Sequence, residues 1–155
     1  MIAILHNIRS SHNVGSILRS ADALGASGLY LCGITPSPID RFGRENKQLT
    51  KVSLGAEKYV DWEHCSSTRE LLDKLKQQGY TIVAIEQDKK SISLSDFKRK
   101  SKKLALVFGN EVEGLSQDIL DKSDIILEIP MLGKKESLNV AVAFGITTYY
   151  LIQKS

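Results

Sequence analysis

Two stretches in the last third of the chain decide its fold: LALVFGNEVEGLS (Leu104–Ser116) and DIILEIPMLGKKESLNVAVAFG (Asp124–Gly145). Each opens with a short apolar run, Leu104–Phe108 in the first and Ile125–Ile129 in the second, and each run ends abruptly in residues that favour turns. Short apolar runs bounded in this way are typical of buried parallel strands. The sequence therefore predicts two such strands here.

The loops after these strands are the first candidates for a binding site. Ligands bind outside the carboxyl ends of strands in open α/β sheets, so we expect Gly109–Gly114 and Pro130–Asn139 to lie side by side over one site. The first loop is not a Walker A motif, because Leu115-Ser116 follows its second glycine. Its two carboxylates argue against phosphate and favour a neutral or cationic ligand such as an adenosyl sulfonium, although its glycines also fit a plain strand-to-helix turn.

Patterns upstream and downstream predict the remaining elements. Apolar runs predict strands at Ile2–Leu5, Gly28–Cys32, Tyr59–Trp62 and Tyr80–Ile85. Caps and helical spacing predict helices between Asn13 and Gly25, over Glu45–Leu54, between Ser67 and Gly79, around Gln117–Lys122 and over Leu138–Leu151. Strands that alternate with helices indicate an α/β fold, a single domain whose parallel sheet is covered by helices on both faces.

Composition narrows the class of protein. The 155 residues are 42% hydrophobic and 25% charged, an ordinary globular composition for one domain. The net charge of +3 permits an anionic partner without requiring one. Cys32 and Cys65 form no CxxC pair and the three histidines lack metal spacing, so we expect no metal site and a reducing compartment. Neither a signal peptide nor a membrane span is evident, and we expect a cytoplasmic protein with no membrane partner.

Polar residues near two predicted helix ends are candidates for chemistry. Asn13 fits the N-cap of the first predicted helix, and Arg9 and Arg19 bring two guanidinium groups close to a strand end. They fit an anion site, although a cap and solvated charges are the simpler explanation. Ser137 fits the N-cap of the last helix. Asn139 would then lie inside a buried helix, where an amide costs free energy unless its hydrogen bonds are satisfied.

The last predicted helix, Leu138–Leu151, is apolar around most of its circumference. Such a helix is normally buried on both sides. In a domain of this size, we therefore expect one side of the helix to meet another subunit.

Three segments together resemble the SpoU/TrmH-type RNA 2′-O-ribose methyltransferases of the SPOUT superfamily: NxRSxxNVGSILRSADALG (Asn7–Gly25), LVFGNEVEGLS (Leu106–Ser116) and IPMLGKKESLNVAVAFG (Ile129–Gly145). They occur in the family's order, and the chain has about the length of the bare catalytic domain. VSLGAEKYVDW (Val52–Trp62) also looks like the subgroup that methylates a guanosine in the tRNA D-loop.

The resemblance implies several properties that the patterns alone do not. It implies a deep trefoil knot in the C-terminal part of the chain, a homodimer through the knot and the C-terminal helix, and S-adenosyl-L-methionine as the cofactor. The residues implied around the cofactor are Ile85, Gly109, Gly114, Ile129, Met131, Ser137 and Leu138. The residues implied in catalysis or site architecture are Asn13, Arg19, Glu111, Ser137 and Asn139. Arg19 would assist proton loss or stabilise charge on the 2′-oxygen, in its own subunit or across the dimer.

The implied substrate is structured RNA, either tRNA or ribosomal RNA. We expect residues 1–155 to form one catalytic domain without a separate RNA-binding extension, so that RNA affinity comes from exposed cations or from an accessory protein. The candidate RNA-binding residues are Arg9, Arg19, Arg41, Arg44, Lys47, Lys51, Lys134 and Lys135. The run Lys98–Lys103 fits a solvated surface or a non-specific phosphate contact. The alternative is a non-catalytic dimeric RNA-binding module, which would have no need of the loops at Gly109 and Ile129.

Overall fold

The computed structural model describes residues 1–154, which form a layer of strands with helices on either side. The strands are β1 (Ile2–His6), β2 (Leu29–Cys32), β3 (Trp62–Cys65), β4 (Thr81–Ile85), β5 (Ile92–Ser93), β6 (Leu104–Phe108) and β7 (Ile125–Glu128). The α-helices are α1 (Ser11–Leu24), α2 (Lys47–Ser53), α3 (Thr68–Gln77), α4 (Gln117–Lys122) and α5 (Val140–Gln153). The strand order is β3-β2-β1-β6-β4-β7-β5, and all neighbouring strands are parallel. The predicted α/β fold with a parallel sheet is confirmed.

The strand β6 lies at the centre of the sheet and is buried along its whole length. Its side chains alternate between two cores, because successive residues of a strand point to opposite faces. Leu106 and Phe108 belong to the core beneath α1 and α5, and the Phe108 ring lies 5.3 Å from that of Phe144 in α5. Ala105 and Val107 belong to the core beneath α3 and α4. Helices therefore cover both faces, as predicted.

Two strand predictions were wrong in detail. The strand predicted at Tyr59–Trp62 begins only at Trp62, because the preceding residues Ala56–Lys58 form a 3₁₀ turn that leaves Tyr59 78% exposed. A short strand, β5, lies in residues 86–95, where the sequence predicts no strand. It pairs with β7 through Ile92 and Ser93, a contact that no local pattern could reveal.

The helix caps also differ from prediction. Asn13 is not the N-cap of α1: the Ser10 hydroxyl accepts a hydrogen bond from the Asn13 backbone N–H at 3.1 Å, so the helix starts earlier and Asn13 lies buried in its first turn. The predicted stop at Gly25 is confirmed, with a left-handed φ of 66° that suits glycine. Asn139, rather than Ser137, caps α5, and it is exposed rather than buried.

The strand order places the two predicted loops around a third. β4 lies between β6 and β7, so the carboxyl ends of these three strands adjoin. After β7, residues 130–139 lead to α5, which packs in the core shared with α1. Within residues 1–154, no helix is both long and apolar enough to cross a membrane.

Candidate functional site

A cleft of about 420 Å³ opens at the carboxyl ends of β4, β6 and β7. Its lining comes from the segment after each of these strands and from the start of α5. The structure brings to this cleft all seven residues that the resemblance implies around a cofactor: Ile85, Gly109, Gly114, Ile129, Met131, Ser137 and Leu138. The expectation that Gly109–Gly114 and Pro130–Asn139 lie over one site is therefore confirmed.

The loop after β6 turns back on itself so tightly that two positions require glycine. A Cβ atom at Gly109 would lie 2.5 Å from the backbone carbon of Gly114 and 2.7 Å from the Leu115 nitrogen. Gly114 has a φ of +67°, and a Cβ there would collide with the Glu86 carboxylate. The Gly114 N–H donates to the Asn110 carbonyl at 3.0 Å and closes the turn. The glycines thus keep this wall of the cleft thin, with backbone groups at its surface.

Asn110 and Glu86 hold this turn in place, although neither was predicted from the sequence. The buried Asn110 accepts backbone N–H groups of Val112 and Glu113 and donates to the Asn7 carbonyl at 2.8 Å. An asparagine directly after a strand is a known turn signal, so Asn110 was detectable. Glu86 accepts the Leu115 N–H at 2.9 Å, but it reaches that loop only because β4 lies beside β6. Nothing local in the sequence marks it.

A chain of hydrogen bonds links the three family-like segments beside the cleft. The Glu111 carboxylate accepts the backbone N–H groups of Arg9 at 3.1 Å and Ser10 at 3.3 Å. It also accepts the side-chain amide of Asn13 at 3.0 Å. The Asn139 amide donates to the Asn13 side-chain oxygen at 3.0 Å, and the Asn139 oxygen caps α5 through the Ala141 N–H. These bonds fix the starts of α1 and α5 relative to the loop after β6.

The charge of Glu111 is part of this arrangement. Partial burial by itself raises the pKa of the Glu111 carboxyl, but the hydrogen bonds from Asn13, Arg9 and Ser10 outweigh it and leave the pKa below its ordinary value of 4.5. The folded state therefore stabilises the carboxylate form, and this contribution to stability is present above pH 4.5 and is lost as the pH falls through the lowered pKa.

We expect the Glu111→Gln variant to lose stability in a pH-dependent way. Its free energy of unfolding should lie below that of the wild type at neutral pH, and the two values should converge in acid as the wild-type carboxylate becomes protonated. Urea unfolding over a series of pH values measures this difference. Glu113→Gln is the matched control, because the Glu113 carboxylate in the same loop is exposed and makes no hydrogen bond within residues 1–154. A deficit of equal size at every pH would contradict the argument.

The structure does not bring every predicted residue to the cleft. Arg19 is exposed on α1 and does not line the cleft; it follows Asn13 by six residues, which places it about 240° further around the helix. Ser137 lines the cleft, and its hydroxyl makes no hydrogen bond with any described residue. The other seven cations predicted to contact RNA are exposed: Arg9, Arg41, Arg44, Lys47, Lys51, Lys134 and Lys135. Among residues 1–154, no cluster of three or more histidine, cysteine, aspartate or glutamate side chains is placed to hold a metal ion.

The chain can be compared with known proteins on this basis. A model of the SpoU rRNA methylase family matches residues 1–149, which include the cleft and both of its loops. The chain belongs to the SpoU rRNA methylase family.

Relatives of this SpoU-family chain act on RNA according to their names. A tRNA (guanosine(18)-2′-O)-methyltransferase of Borreliella burgdorferi is 30% identical over 153 residues, or 97% of this chain and 65% of the relative. An AdoMet-bound rRNA methyltransferase from Sinorhizobium meliloti superposes with a TM-score of 0.88 at 28% identity, over 98% of this chain and 55% of the other. A solved structure that concerns the 2-OH methylation of C/U34 on tRNA superposes with a TM-score of 0.84 at 27% identity, over 99% of this chain and 94% of the other.

The lengths of these proteins differ. This SpoU-family chain spans 58% and 65% of the length of two curated relatives that it matches, so each of them contains a further part without a counterpart here. The match to the C/U34-related structure, by contrast, covers almost the whole of both chains.

Proposed function

We propose that this chain is an S-adenosyl-L-methionine-dependent methyltransferase that methylates a ribose 2′-hydroxyl of structured RNA, with tRNA as the substrate class. The observation that carries the proposal is that two family-like segments line one cleft through Glu111 and Asn139, and that the third is joined to both of these residues by hydrogen bonds of Asn13. Membership of the family supports the reaction class. Two of the similar proteins are named for tRNA positions, guanosine 18 and C/U34, and this supports tRNA. The name of the family and the rRNA methyltransferase from Sinorhizobium meliloti make ribosomal RNA the second candidate substrate.

The cleft suits S-adenosylmethionine in size and chemistry. Its volume lies in the range of small-molecule sites. Gly109 and Gly114 present backbone rather than side chains, and Ile85, Ile129 and Leu138 offer apolar contacts for an adenine ring. Glu86, Glu111 and Glu128 also line the cleft, and their carboxylates favour a cation. When bound, S-adenosylmethionine supplies a sulfonium-activated methyl group, and the sulfonium is such a cation.

The chain's own residues then have to hold the ribose and stabilise the negative charge that develops on its 2′-oxygen. An arginine guanidinium is a poor proton acceptor, so the role of Arg19 in this proposal is to bind a phosphate and to stabilise the negative charge that grows on the 2′-oxygen. Hydrogen bonds among Asn13, Glu111 and Asn139 hold the loop after β6 in position against the starts of α1 and α5. The bond to the Glu111 carboxylate is charge-assisted. Ser137 offers an uncommitted hydroxyl at the wall of the cleft.

The site is completed by a second copy of the chain in this proposal. Arg19 is exposed outside the cleft of its own chain, so it is available to a partner's cleft. The helix α5 exposes a stripe of apolar side chains at helical spacing, with Val142 49%, Ile146 42% and Tyr149 57% exposed. A stripe of this kind favours contact with another apolar surface. The proposed homodimer therefore uses α5 at its interface.

The proposal includes the trefoil knot of the SPOUT superfamily. The segment after β7 runs along the cleft beside the ends of β4 and β6, and the Gln87 side chain donates to the Glu136 carbonyl at 2.6 Å. Only after this passage does the chain enter α5. Threading of this segment through the loop that precedes it would make the knot, a rare exception among chain connections. Residues 1–155 act as one catalytic domain in this proposal.

Isothermal titration with S-adenosylmethionine tests the proposed function, with the mass in solution measured alongside. We expect one cofactor to bind per chain, and the protein to have twice the mass of one chain. We also expect it to transfer a labelled methyl group to unfractionated tRNA. Linkages next to the labelled nucleotides should resist alkaline hydrolysis, which assigns the methyl group to the 2′-oxygen. Ribosomal RNA is the comparison substrate. A protein that binds RNA as a dimer but transfers no methyl group would instead be the RNA-binding module.

A further inference from the structure

A short hairpin next to the cleft presents an aromatic ring to solvent. This finger, residues Ile39–Glu45, is closed by a bridge between its two end residues. Phe42 lies at its tip with 67% of its surface exposed. The Arg41 and Arg44 guanidinium groups lie over the Phe42 ring at 4.8 Å and 4.9 Å from its centroid. The ring is thus exposed and flanked by two cations.

The finger is held rigidly although its tip contacts no core. The Asp40 carboxylate accepts the backbone N–H groups of Phe42 at 2.8 Å and Arg44 at 2.9 Å, and it also accepts the Arg44 side chain at 2.8 Å. The Gly43 N–H donates to the Asp40 carbonyl at 2.9 Å. A turn fixed in this way holds Phe42 ready for a partner and reduces the entropy lost on binding.

The finger lies at the same end of the strands as the cleft, because it follows the carboxyl end of β2 and all neighbouring strands of the sheet are parallel. Directly after the finger, the Asn46 amide donates to the Ser11 hydroxyl at 3.1 Å. Ser11 belongs to the first turn of α1, the turn that also contains Asn13, which hydrogen-bonds to Glu111 beside the cleft. The start of α1 thus joins the finger to the hydrogen-bond network at the cleft.

We propose that Phe42 is a stacking platform for an unpaired base of the RNA substrate, and that the guanidinium groups of Arg41 and Arg44, which lie over the ring in the free chain, turn from it to the phosphates next to that base. This inference rests on the proposed function. Single exposed apolar side chains are common and need no partner. Phe42 differs from them because unpaired RNA bases stack on exposed aromatic rings and arginine planes, and because phosphates complement the two guanidinium groups. Asp40 pairs with Arg44 through the guanidinium Nε at 2.8 Å, which leaves the terminal N–H groups of that guanidinium for a phosphate.

The test uses two RNA stem-loops that carry the fluorescent base 2-aminopurine, one in the loop and one in the stem. We expect the wild type to quench only the loop probe. Phe42→Ala should abolish that quenching and weaken RNA binding by about 5- to 100-fold, as expected for the loss of one stacked base. Phe42→Trp should restore both properties. The salt dependence of binding should stay unchanged in these variants, because the two arginines remain.

Tyr59→Ala is the matched control, since Tyr59 is also an exposed ring but precedes β3 and thus lies at the opposite end of the strands. It should bind RNA as the wild type does.

Wild-type affinity and quenching in Phe42→Ala would overturn the inference, and so would equal losses in both alanine variants. A Phe42→Ala variant with normal RNA affinity but altered mass in solution would show that the ring instead meets a second copy of the chain. The wild type's titration with S-adenosylmethionine keeps the two proposals distinct, because a chain that binds neither cofactor nor RNA would refute the proposed function itself.

Discussion

Arg19→Ala is expected to lower the rate of methyl transfer by at least about 100-fold, the loss typical when a group that stabilises developing charge is removed. The affinity for S-adenosylmethionine should stay within about twofold of the wild type, because Arg19 is assigned to the RNA phosphate and the 2′-oxygen rather than to the cofactor. The fold should also be unaffected, since the Arg19 side chain is exposed and makes no hydrogen bond or ion pair within residues 1–154. Single-turnover transfer to unfractionated tRNA and calorimetric titration measure the two quantities.

Two further variants sharpen this prediction. Arg19→Lys keeps the charge but loses the planar fork, so we expect an intermediate rate. Arg69→Ala removes another exposed helical arginine, this one on α3, and should transfer methyl groups at the wild-type rate. Wild-type turnover in Arg19→Ala would refute the assignment of Arg19 to catalysis.

Gly109→Ala is expected to weaken cofactor binding, whereas Arg19→Ala affects the methyl-transfer step. The added methyl group would meet backbone atoms of Gly114 and Leu115 at 2.5 to 2.7 Å, and no side-chain rotation can relieve that contact. The loop must therefore shift, at a cost of about 1–3 kcal/mol in the free energy of unfolding. We expect S-adenosylmethionine affinity to fall by about 100-fold, equivalent to about 2.7 kcal/mol, because this loop forms one wall of the cleft.

Gly133→Ala serves as the control for Gly109→Ala. Gly133 lies in the loop after β7, and a Cβ atom built there has no neighbour within 4 Å. The variant should bind the cofactor as the wild type does and should be no less stable. Titration calorimetry and urea unfolding of both variants decide the matter. Unchanged affinity in Gly109→Ala would mean that the cofactor binds elsewhere.

These two variants together test whether the site is composite. Each should be inactive alone, Arg19→Ala for lack of the arginine and Gly109→Ala for lack of the cofactor. If Arg19 serves the partner's cleft, mixed dimers combine an intact cleft from one chain with an intact Arg19 from the other, and random mixing should restore about a quarter of the wild-type activity. No recovery in dimers shown to have exchanged subunits would place Arg19 in the site of its own chain.

The sequence by itself determined those elements of this protein whose apolar pattern ends sharply in turn residues. The strand predicted at Leu104–Phe108 is β6 itself, and the helix predicted around Gln117–Lys122 is α4. Both are set by local burial patterns and turn residues, which the sequence displays directly. The same holds for the loop Gly109–Gly114, because its two glycines indicate a backbone that other residues cannot adopt.

Tertiary structure decided the points where one segment depends on another. The sequence assigned Asn13 to a helix cap, but Ser10 fills that position and leaves the Asn13 side chain to join Glu111 and Asn139. It likewise gave no sign of Glu86, which reaches the loop after β6 only because β4 and β6 are neighbours. Such contacts join residues about 30 to 125 positions apart, such as Glu86 to Leu115 and Asn13 to Asn139. The hydrogen-bonding partner of a side chain at such a distance follows from strand order and helix packing, which no local pattern encodes.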